Sequence, residues 1–144
     1  MHESTLAHVD LFSGLDKKEL RHIANSCQER KFSAGSILMQ QGDTGAGLFV
    51  LIGGKVKITQ TAEPGGAVVD LGTAGSGDVL GEISLLDDLP RSATVTAVED
   101  TTALLLPIWD FRTSLRTSPE IAVKLLAALS HRLRKAESHS PARD

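Results

Sequence analysis

Residues 79–98, VLGEISLLDDLPRSATVTAV, place one isolated glutamate and one isolated arginine beside a strand-like apolar run. Glu82 directly follows Gly81, and Arg91 comes nine residues after Glu82. A charged side chain next to an apolar segment must form an ion pair, contact water or bind a ligand, because burying a charge alone is costly. The spacing alone allows two interpretations equally well. Glu82 and Arg91 either form a structural ion pair with each other or bind a ligand together.

The residue types around the two charges favour a ligand. The run ISLLDD has room for a turn or two of helix, and a helix that starts after Gly81 leaves free N–H groups that attract anions. An arginine binds phosphate through paired hydrogen bonds, and the carboxylate of Glu82 accepts from a sugar hydroxyl. The small residues Gly81, Ser92 and Ala93 allow a ligand to approach the backbone. The segment therefore predicts a site for a phosphorylated sugar.

The composition restricts the class of protein. The chain has 144 residues, the usual size of one domain, so residues 1–144 are interpreted as a single domain. A net charge of −3 argues against a nucleic-acid-binding surface, which needs an excess of basic residues. The single cysteine, Cys27, cannot form a disulfide within the chain, and it favours a reducing, cytoplasmic location. No apolar run reaches the roughly 18 residues of a membrane span.

The middle of the chain has the character of an all-β region. Between residues 29 and 108, short apolar runs alternate with glycine-rich turns, which predicts an antiparallel barrel or sandwich. The runs are SILMQ, LFVLI, KVKIT, AVVDL, ATVTAV and ALLLPI. No histidine occurs between residues 32 and 108, so a metal-dependent enzyme on a cupin-type barrel is disfavoured.

Helices are predicted on both sides of the β region, over residues 1–28 and 109–137, followed by a frayed tail over residues 138–144. Asp16 and Glu19 form a capping box, and Ser118 with Pro119 marks the start of the last helix. The last helix carries a leucine stripe, for which core or dimer packing is expected before a role as a lid. Cys27 and Trp109 are expected to be packing residues.

The segment GEISLLDDLPRSATV resembles the phosphate-binding cassette of cyclic nucleotide-binding domains, in which Gly-Glu, a short helix and Arg-Ser/Thr/Ala-Ala follow one another. LFSGLDKKELRHIA resembles the leading helix of that family, and FSAGSILMQQGDTGAGLFVLIGGKVKI resembles its first strands. The resemblance is to the type found in catabolite activator proteins and protein kinase A regulatory subunits, over residues 11–135. It implies a mainly β fold, an antiparallel β-roll or jelly-roll barrel with an N-terminal helix and C-terminal lid helices.

The resemblance also implies the roles of individual residues. Glu82 would accept a hydrogen bond from the ribose 2′-hydroxyl, and Arg91 would bind the cyclic phosphate. Arg132 is included in the site, although its place near the helix end favours a solvated partner of the helix dipole over a second phosphate ligand. The predicted ligand site comprises Glu82, Arg91, Gly81, Ser92, Ala93, Leu71, Val79, Leu80, Ile83, Arg132, Ala136 and Glu137.

The base is expected to be read by the last helix. In bacterial activator proteins of the family, adjacent Thr and Ser on this helix contact adenine, and Ala136 and Glu137 stand there in this chain. An acidic residue resembles the arrangement by which some channels favour guanine, whereas Ser92 does not supply the threonine that usually helps cyclic GMP. The ligand is predicted to be cyclic AMP ahead of cyclic GMP, with no metal or other cofactor.

The resemblance implies a sensor or regulatory module and not an enzyme, in which ligand capture shifts the C-terminal helix towards a closed state. Two alternatives stay open: the ligand-binding domain of a truncated activator-type transcription regulator, and a degenerate cassette that acts as an interaction module without binding nucleotide. The ending SHSPARD favours a stand-alone sensor. The expected partners are an unidentified effector protein and a second copy held through the C-terminal helix, with no membrane and no nucleic acid.

Overall fold

The computed structural model describes residues 2–45, 47–82 and 89–138. At the N-terminus, helix α1 (His2–Leu6) and a 3-10 turn (Asp10–Phe12) precede helix α2 (Lys17–Ala24). The strands are β1 (Gln28–Phe32), β2 (Ile37–Met39), β3 (Gly47–Gly53), β4 (Lys55–Thr61), β5 (Val68–Gly75), β6 (Val79–Leu80), β7 (Thr94–Ala97) and β8 (Thr101–Pro107). Helices α3 (Ile108–Thr117) and α4 (Pro119–Ser138) follow. None of the helices in these ranges is long and apolar enough to cross a membrane.

The strands form two four-stranded antiparallel sheets, ordered β1-β8-β3-β6 and β2-β7-β4-β5. This arrangement confirms the predicted mainly β fold with flanking helices. The prediction of a barrel was wrong in one respect, because the described strands make two separate sheets and no closed barrel. Strand β1 was not among the predicted runs because its sequence, QERKF, is mostly polar; it pairs only with β8 and its first four residues are exposed.

Strands β3 and β8 are buried on both faces, which explains their unbroken apolar runs. Leu48 and Val50 belong to a core cluster shared with the helices, whereas Phe49 and Leu51 belong to a second cluster between the sheets. The facing strand β8 alternates in the same way. The two clusters therefore use alternate residues of one sheet, and this sheet forms the middle layer of the domain.

The starts of α2 and α4 form as the sequence predicts, whereas the helical region predicted over residues 1–28 is divided into α1, a 3-10 turn and α2, and Gln28 belongs to β1. The backbone N–H of Glu19 donates to Asp16 Oδ1 over 2.8 Å, and the N–H of Asp16 donates to Glu19 Oε1 over 2.9 Å, which completes the capping box. Helix α4 begins at Pro119 and runs to Ser138, one residue beyond the predicted limit. The expectation that Trp109 is a packing residue was wrong: it is 70% exposed, with the guanidinium of Arg112 5.3 Å from the ring centroid.

Three sequence predictions lie outside the described residues. They are the short helix over ISLLDD, the apolar contact assigned to Ile83, and the frayed tail after Ser138. Cys27 lies within the described part, where it is half-buried against the helical core cluster and carries a free thiol.

Candidate ligand-binding site

A cavity of about 340 Å³ opens beside the end of β6 and the start of β7. Its lining consists of Met39, Ile58, Val79, Leu80, Gly81, Glu82, Arg91, Ser92, Ala93 and Val95. Seven of these were predicted from the sequence. The three that sequence reasoning missed, Met39, Ile58 and Val95, are apolar residues of strands β2, β4 and β7. The only sequence signal for these residues was the alternation of apolar and polar residues along each strand, which does not distinguish a core position from a cavity wall.

Arg91 is buried, with 6% of its surface exposed. Its Nη2 donates to the carbonyl of Gly47, and its Nη1 lies 3.5 Å from the carbonyl oxygen of Gly81. Burial lowers the pKa of the Arg91 guanidinium below its ordinary value, because the charged form loses its hydration. Within residues 2–45, 47–82 and 89–138, no carboxylate forms an ion pair with this guanidinium. Among the described residues, the cation is therefore balanced by the dipoles of two carbonyl groups.

Backbone hydrogen bonds hold Arg91 against the loop between β2 and β3. The N–H of Arg91 donates to the carbonyl of Asp43, and the carbonyl of Arg91 accepts from the N–H of Gly42, each over 2.9 Å. The side chain of Gln60 donates to the carbonyl of Ser92 over 2.8 Å. These bonds fix the chain on both sides of the Arg91 Cα, so the direction in which its side chain leaves the backbone is set before any ligand arrives.

Two structural constraints require glycine at position 81. Its φ of +79° lies in the left-handed region, which side chains disfavour. A Cβ at this position would also lie 2.1 Å from Nη1 of Arg91. The glycine in the predicted Gly-Glu pair therefore turns the chain out of β6 and leaves room for the arginine.

Glu82 forms an ion pair with Arg132 of helix α4, with 2.6 Å between Glu82 Oε1 and Arg132 Nη1. The Glu82 side chain is 16% exposed and that of Arg132 is 36% exposed. The hydrogen bond to Glu82 raises the pKa of Arg132 above its ordinary value. The expectation for Arg132, a solvated partner of the helix dipole, was wrong, because its side chain pairs with Glu82; Arg132 itself does not line the cavity.

Two contacts in the first half of α4 set its path. Ile121 and Leu125 are buried in the helical core cluster. The ammonium of Lys124 lies 2.7 Å from Glu19 Oε1, within the capping box of α2. The hydrogen bond with Glu19 raises the pKa of Lys124. The helix is thus held at its start by α2 and the core, and two turns later by Glu82.

The structure does not bring every predicted residue to the cavity. Leu71 is 51% exposed and does not line it, because the β4–β5 register skips this residue: Asp70 pairs with Thr59 and Gly72 with Ile58. Leu71 is the extra residue of a β-bulge on an edge strand. Ala136 and Glu137 lie exposed near the end of α4, beyond Arg132, and do not line the cavity either. No cluster of metal-ligating side chains occurs in the part of the chain that the structure describes.

Comparison with known proteins identifies the family of the chain. A sequence model of the family described as cyclic nucleotide-binding domain matches residues 29–118. The chain is 39% identical to a cyclic AMP receptor protein of Thermus thermophilus over 88% of its own length and 58% of that protein. It is 35% identical to the cAMP-dependent protein kinase regulatory subunit of Mycosarcoma maydis over 67% of its length and 18% of that subunit.

A solved structure extends the likeness to three dimensions. The N-terminal domain of a transcriptional regulator from Streptomyces coelicolor A3(2) is 34% identical, with a TM-score of 0.85 over 97% of this chain and 96% of that one. The chain belongs to the cyclic nucleotide-binding domain family. Within it, this is a regulatory domain like those of activator-type transcription regulators and protein kinase A regulatory subunits. The chain spans about three fifths of the length of the Thermus thermophilus relative and of a Mycobacterium tuberculosis relative, 58% and 61%.

Proposed function

We propose that this domain is a sensor that binds a cyclic nucleotide in the cavity bordered by Glu82 and Arg91, with cyclic AMP preferred to cyclic GMP. One observation carries the proposal: Arg91 brings a buried cation to the cavity, and its side-chain partners among the described residues are carbonyl groups. A buried charge without a counter-ion favours an anion that can reach it. A cyclic phosphate is such an anion, and arginine matches its oxygens in pairs.

The carboxylate of Glu82 suits the sugar at the other end of the same ligand. A carboxylate accepts hydrogen bonds through both oxygens, so Glu82 has capacity for a ribose hydroxyl besides the bond from Arg132. The cavity volume of about 340 Å³ lies within the range of small-molecule sites. A phosphate at Arg91 and a hydroxyl at Glu82 account for both charged residues of the cavity lining.

We expect ligand binding to be transmitted to helix α4 through Glu82, which would contact both the ligand and the helix. The ligand hydroxyl and Arg132 of helix α4 would bind the same carboxylate, so a ligand that reorients Glu82 changes the position that α4 prefers. A ligand shifts such an equilibrium only by the difference in its affinity for the two positions. In this proposal, α4 is the output element, and the core contacts of Ile121 and Leu125 keep its first half in place.

The preference for cyclic AMP rests on the relatives, two of which are named as a cyclic AMP receptor and a cAMP-dependent kinase subunit. The expected base contacts at Ala136 and Glu137 stay a prediction, because these residues lie outside the cavity lining in this structure. The proposed role is binding, as in the regulatory relatives. A cytoplasmic location and a separate effector protein also stay predictions.

The proposed partner of α4 is a second copy of this chain. Val123, Leu126 and Leu133 are 56%, 64% and 61% exposed, and they recur at the three- and seven-residue spacings of a helix–helix seam. This stripe is distinct from Ile121 and Leu125, which are already buried in the core. A homodimer formed through this face would place the output helices of two sensors against each other.

Calorimetric titration of the chain with cyclic AMP and cyclic GMP tests the proposed function. Saturable binding of at least one nucleotide is expected, with the tighter affinity for cyclic AMP. A folded protein that binds neither would favour the alternative of a degenerate cassette. Tighter binding of cyclic GMP would overturn the ligand preference and leave the sensor role intact.

A further inference from the structure

The guanidinium of Arg91 lies in a space that exists because Gly45 has no side chain. A Cβ built on Gly45 would lie 2.6 Å from Cζ, 2.7 Å from Nε and 2.9 Å from Nη2 of Arg91. Its three nearest neighbours therefore all belong to one guanidinium group. Carbon atoms do not approach other heavy atoms this closely without contact strain, so any side chain at Gly45 excludes the observed position of the guanidinium.

Gly45 differs from the other two glycines around Arg91. Gly81 and Gly47 both have positive φ angles, and a Cβ on Gly47 would lie 2.0 Å from the carbonyl oxygen of Leu106. Either position requires glycine for the backbone itself. Gly45 is not among the glycines with positive φ, and its Cβ would meet only the flexible end of a side chain first. Glycine at this position is therefore explained by Arg91 and not by the backbone.

We propose that Gly45 is a positioning residue for the ligand-binding arginine, so that its missing side chain decides the affinity for the phosphate. The space at Gly45 lets the carbonyl groups of Gly47 and Gly81 hold two N–H groups of Arg91 and leave the remaining donors for an anion in the cavity. A methyl group at position 45 pushes the guanidinium off these carbonyls. This inference rests on the proposed function for its effect on nucleotide binding, but the contact itself can be tested separately.

The binding test compares Gly45→Ala in two backgrounds by calorimetric titration with cyclic AMP. In the wild-type background, the affinity is expected to fall by about tenfold or more, the scale of one lost charge-assisted hydrogen bond. In the Arg91→Ala background, the same change is expected to cost less than about twofold, because the side-chain atoms that it displaces are absent. Equal losses in the two backgrounds, or no loss in the first, would overturn the inference. Gly53→Ala is the matched control, since its Cβ would meet no atom within 4 Å and its φ is not positive.

A stability test covers the case in which binding is too weak to measure. Replacing glycine by alanine at an unstrained position normally stabilises the fold by restricting the unfolded chain. We expect Gly45→Ala to raise the urea midpoint in the Arg91→Ala background, as Gly53→Ala does, and to give no such gain when Arg91 is present. An equal gain in both backgrounds would show that Gly45 does not contact the arginine. If the wild-type chain binds no cyclic nucleotide, the proposed function fails, whereas this comparison still decides the role of Gly45.

Discussion

Glu82 and Arg132 form an ion pair with 2.6 Å between Oε1 and Nη1, which joins the residue after the β6 turn to the last helix. The same carboxylate lines the cavity that holds Arg91. The proposed ligand site and the helix that would report on it therefore meet at one side chain. This shared contact is the basis for the first two predictions.

Replacing Arg132 by alanine is expected to loosen the second half of α4 without unfolding its first half. The ion pair is partly exposed, so its loss should lower the free energy of unfolding by no more than about 1 kcal/mol. Amide hydrogen exchange should become faster over residues 130–138, whereas the turn around Leu125 keeps its protection because it is buried. Arg134→Ala, an exposed arginine of the same helix, is the control. Equal exchange rates in the two variants would contradict the coupling.

Replacing Glu82 by alanine tests the sugar contact. Cyclic AMP should bind about tenfold more weakly, the scale of a hydrogen bond to a charged group, whereas its 2′-deoxy analogue should be nearly unaffected. The measurement is a pair of calorimetric titrations on each protein. Glu99→Ala, in an exposed turn, serves as the control. If both nucleotides lose affinity to the same extent, Glu82 does not hold the ribose hydroxyl.

Replacing Arg91 by alanine is expected to weaken cyclic nucleotides by more than about 100-fold, since two charge-assisted hydrogen bonds are lost. Arg91→Lys keeps the charge but not the planar donor pair, so its affinity for cyclic nucleotides should lie between those of the wild type and Arg91→Ala. Both affinities can be obtained by competition with a fluorescent cyclic nucleotide. Retention of wild-type affinity by the alanine variant would show that the phosphate binds elsewhere.

The buried thiol of Cys27 is expected to make the protein less stable at alkaline pH. Burial raises the pKa of its thiol to about 12, from an ordinary value of 9.0, because the thiolate would lose its hydration. Above pH 9 the unfolded chain releases this proton while the folded chain keeps it, so the free energy of unfolding falls as the pH rises from 9 towards 12. Urea unfolding at pH 8 and pH 10.5 should show a steeper decline for the wild type than for Cys27→Ala. Parallel declines would mean that Cys27 ionises equally in both states.

Replacing Leu126 by glutamate tests the proposed dimer. Sedimentation equilibrium should show the wild type as a dimer and Leu126→Glu as a monomer, because a charge at the centre of an apolar seam disfavours association. Val98→Glu places the same charge on another exposed apolar residue and should leave the dimer intact. A monomeric wild type, with or without nucleotide, would make the exposed face of α4 a surface for a different partner.

Much of the site was predictable because its residues are close in the chain. Gly81, Glu82, Arg91, Ser92 and Ala93 lie within one short segment, and the structure places all five around one cavity. Proximity in the chain explains this result, because Glu82 and Arg91 are only nine residues apart and cannot lie far from each other in the fold. The capping box of α2 and the start of α4 were predictable for the same reason, since each depends on neighbouring residues.

The sequence by itself determined the family, the mainly β fold and the two charged residues of the proposed ligand site, because these follow from short-range spacing of residue types. Only the tertiary structure decided that Arg132 pairs with Glu82 and that a bulge keeps Leu71 out of the cavity. It alone revealed the contact between Gly45 and the Arg91 guanidinium. Such contacts join distant parts of the chain, and they depend on helix path and strand register, which no local pattern specifies.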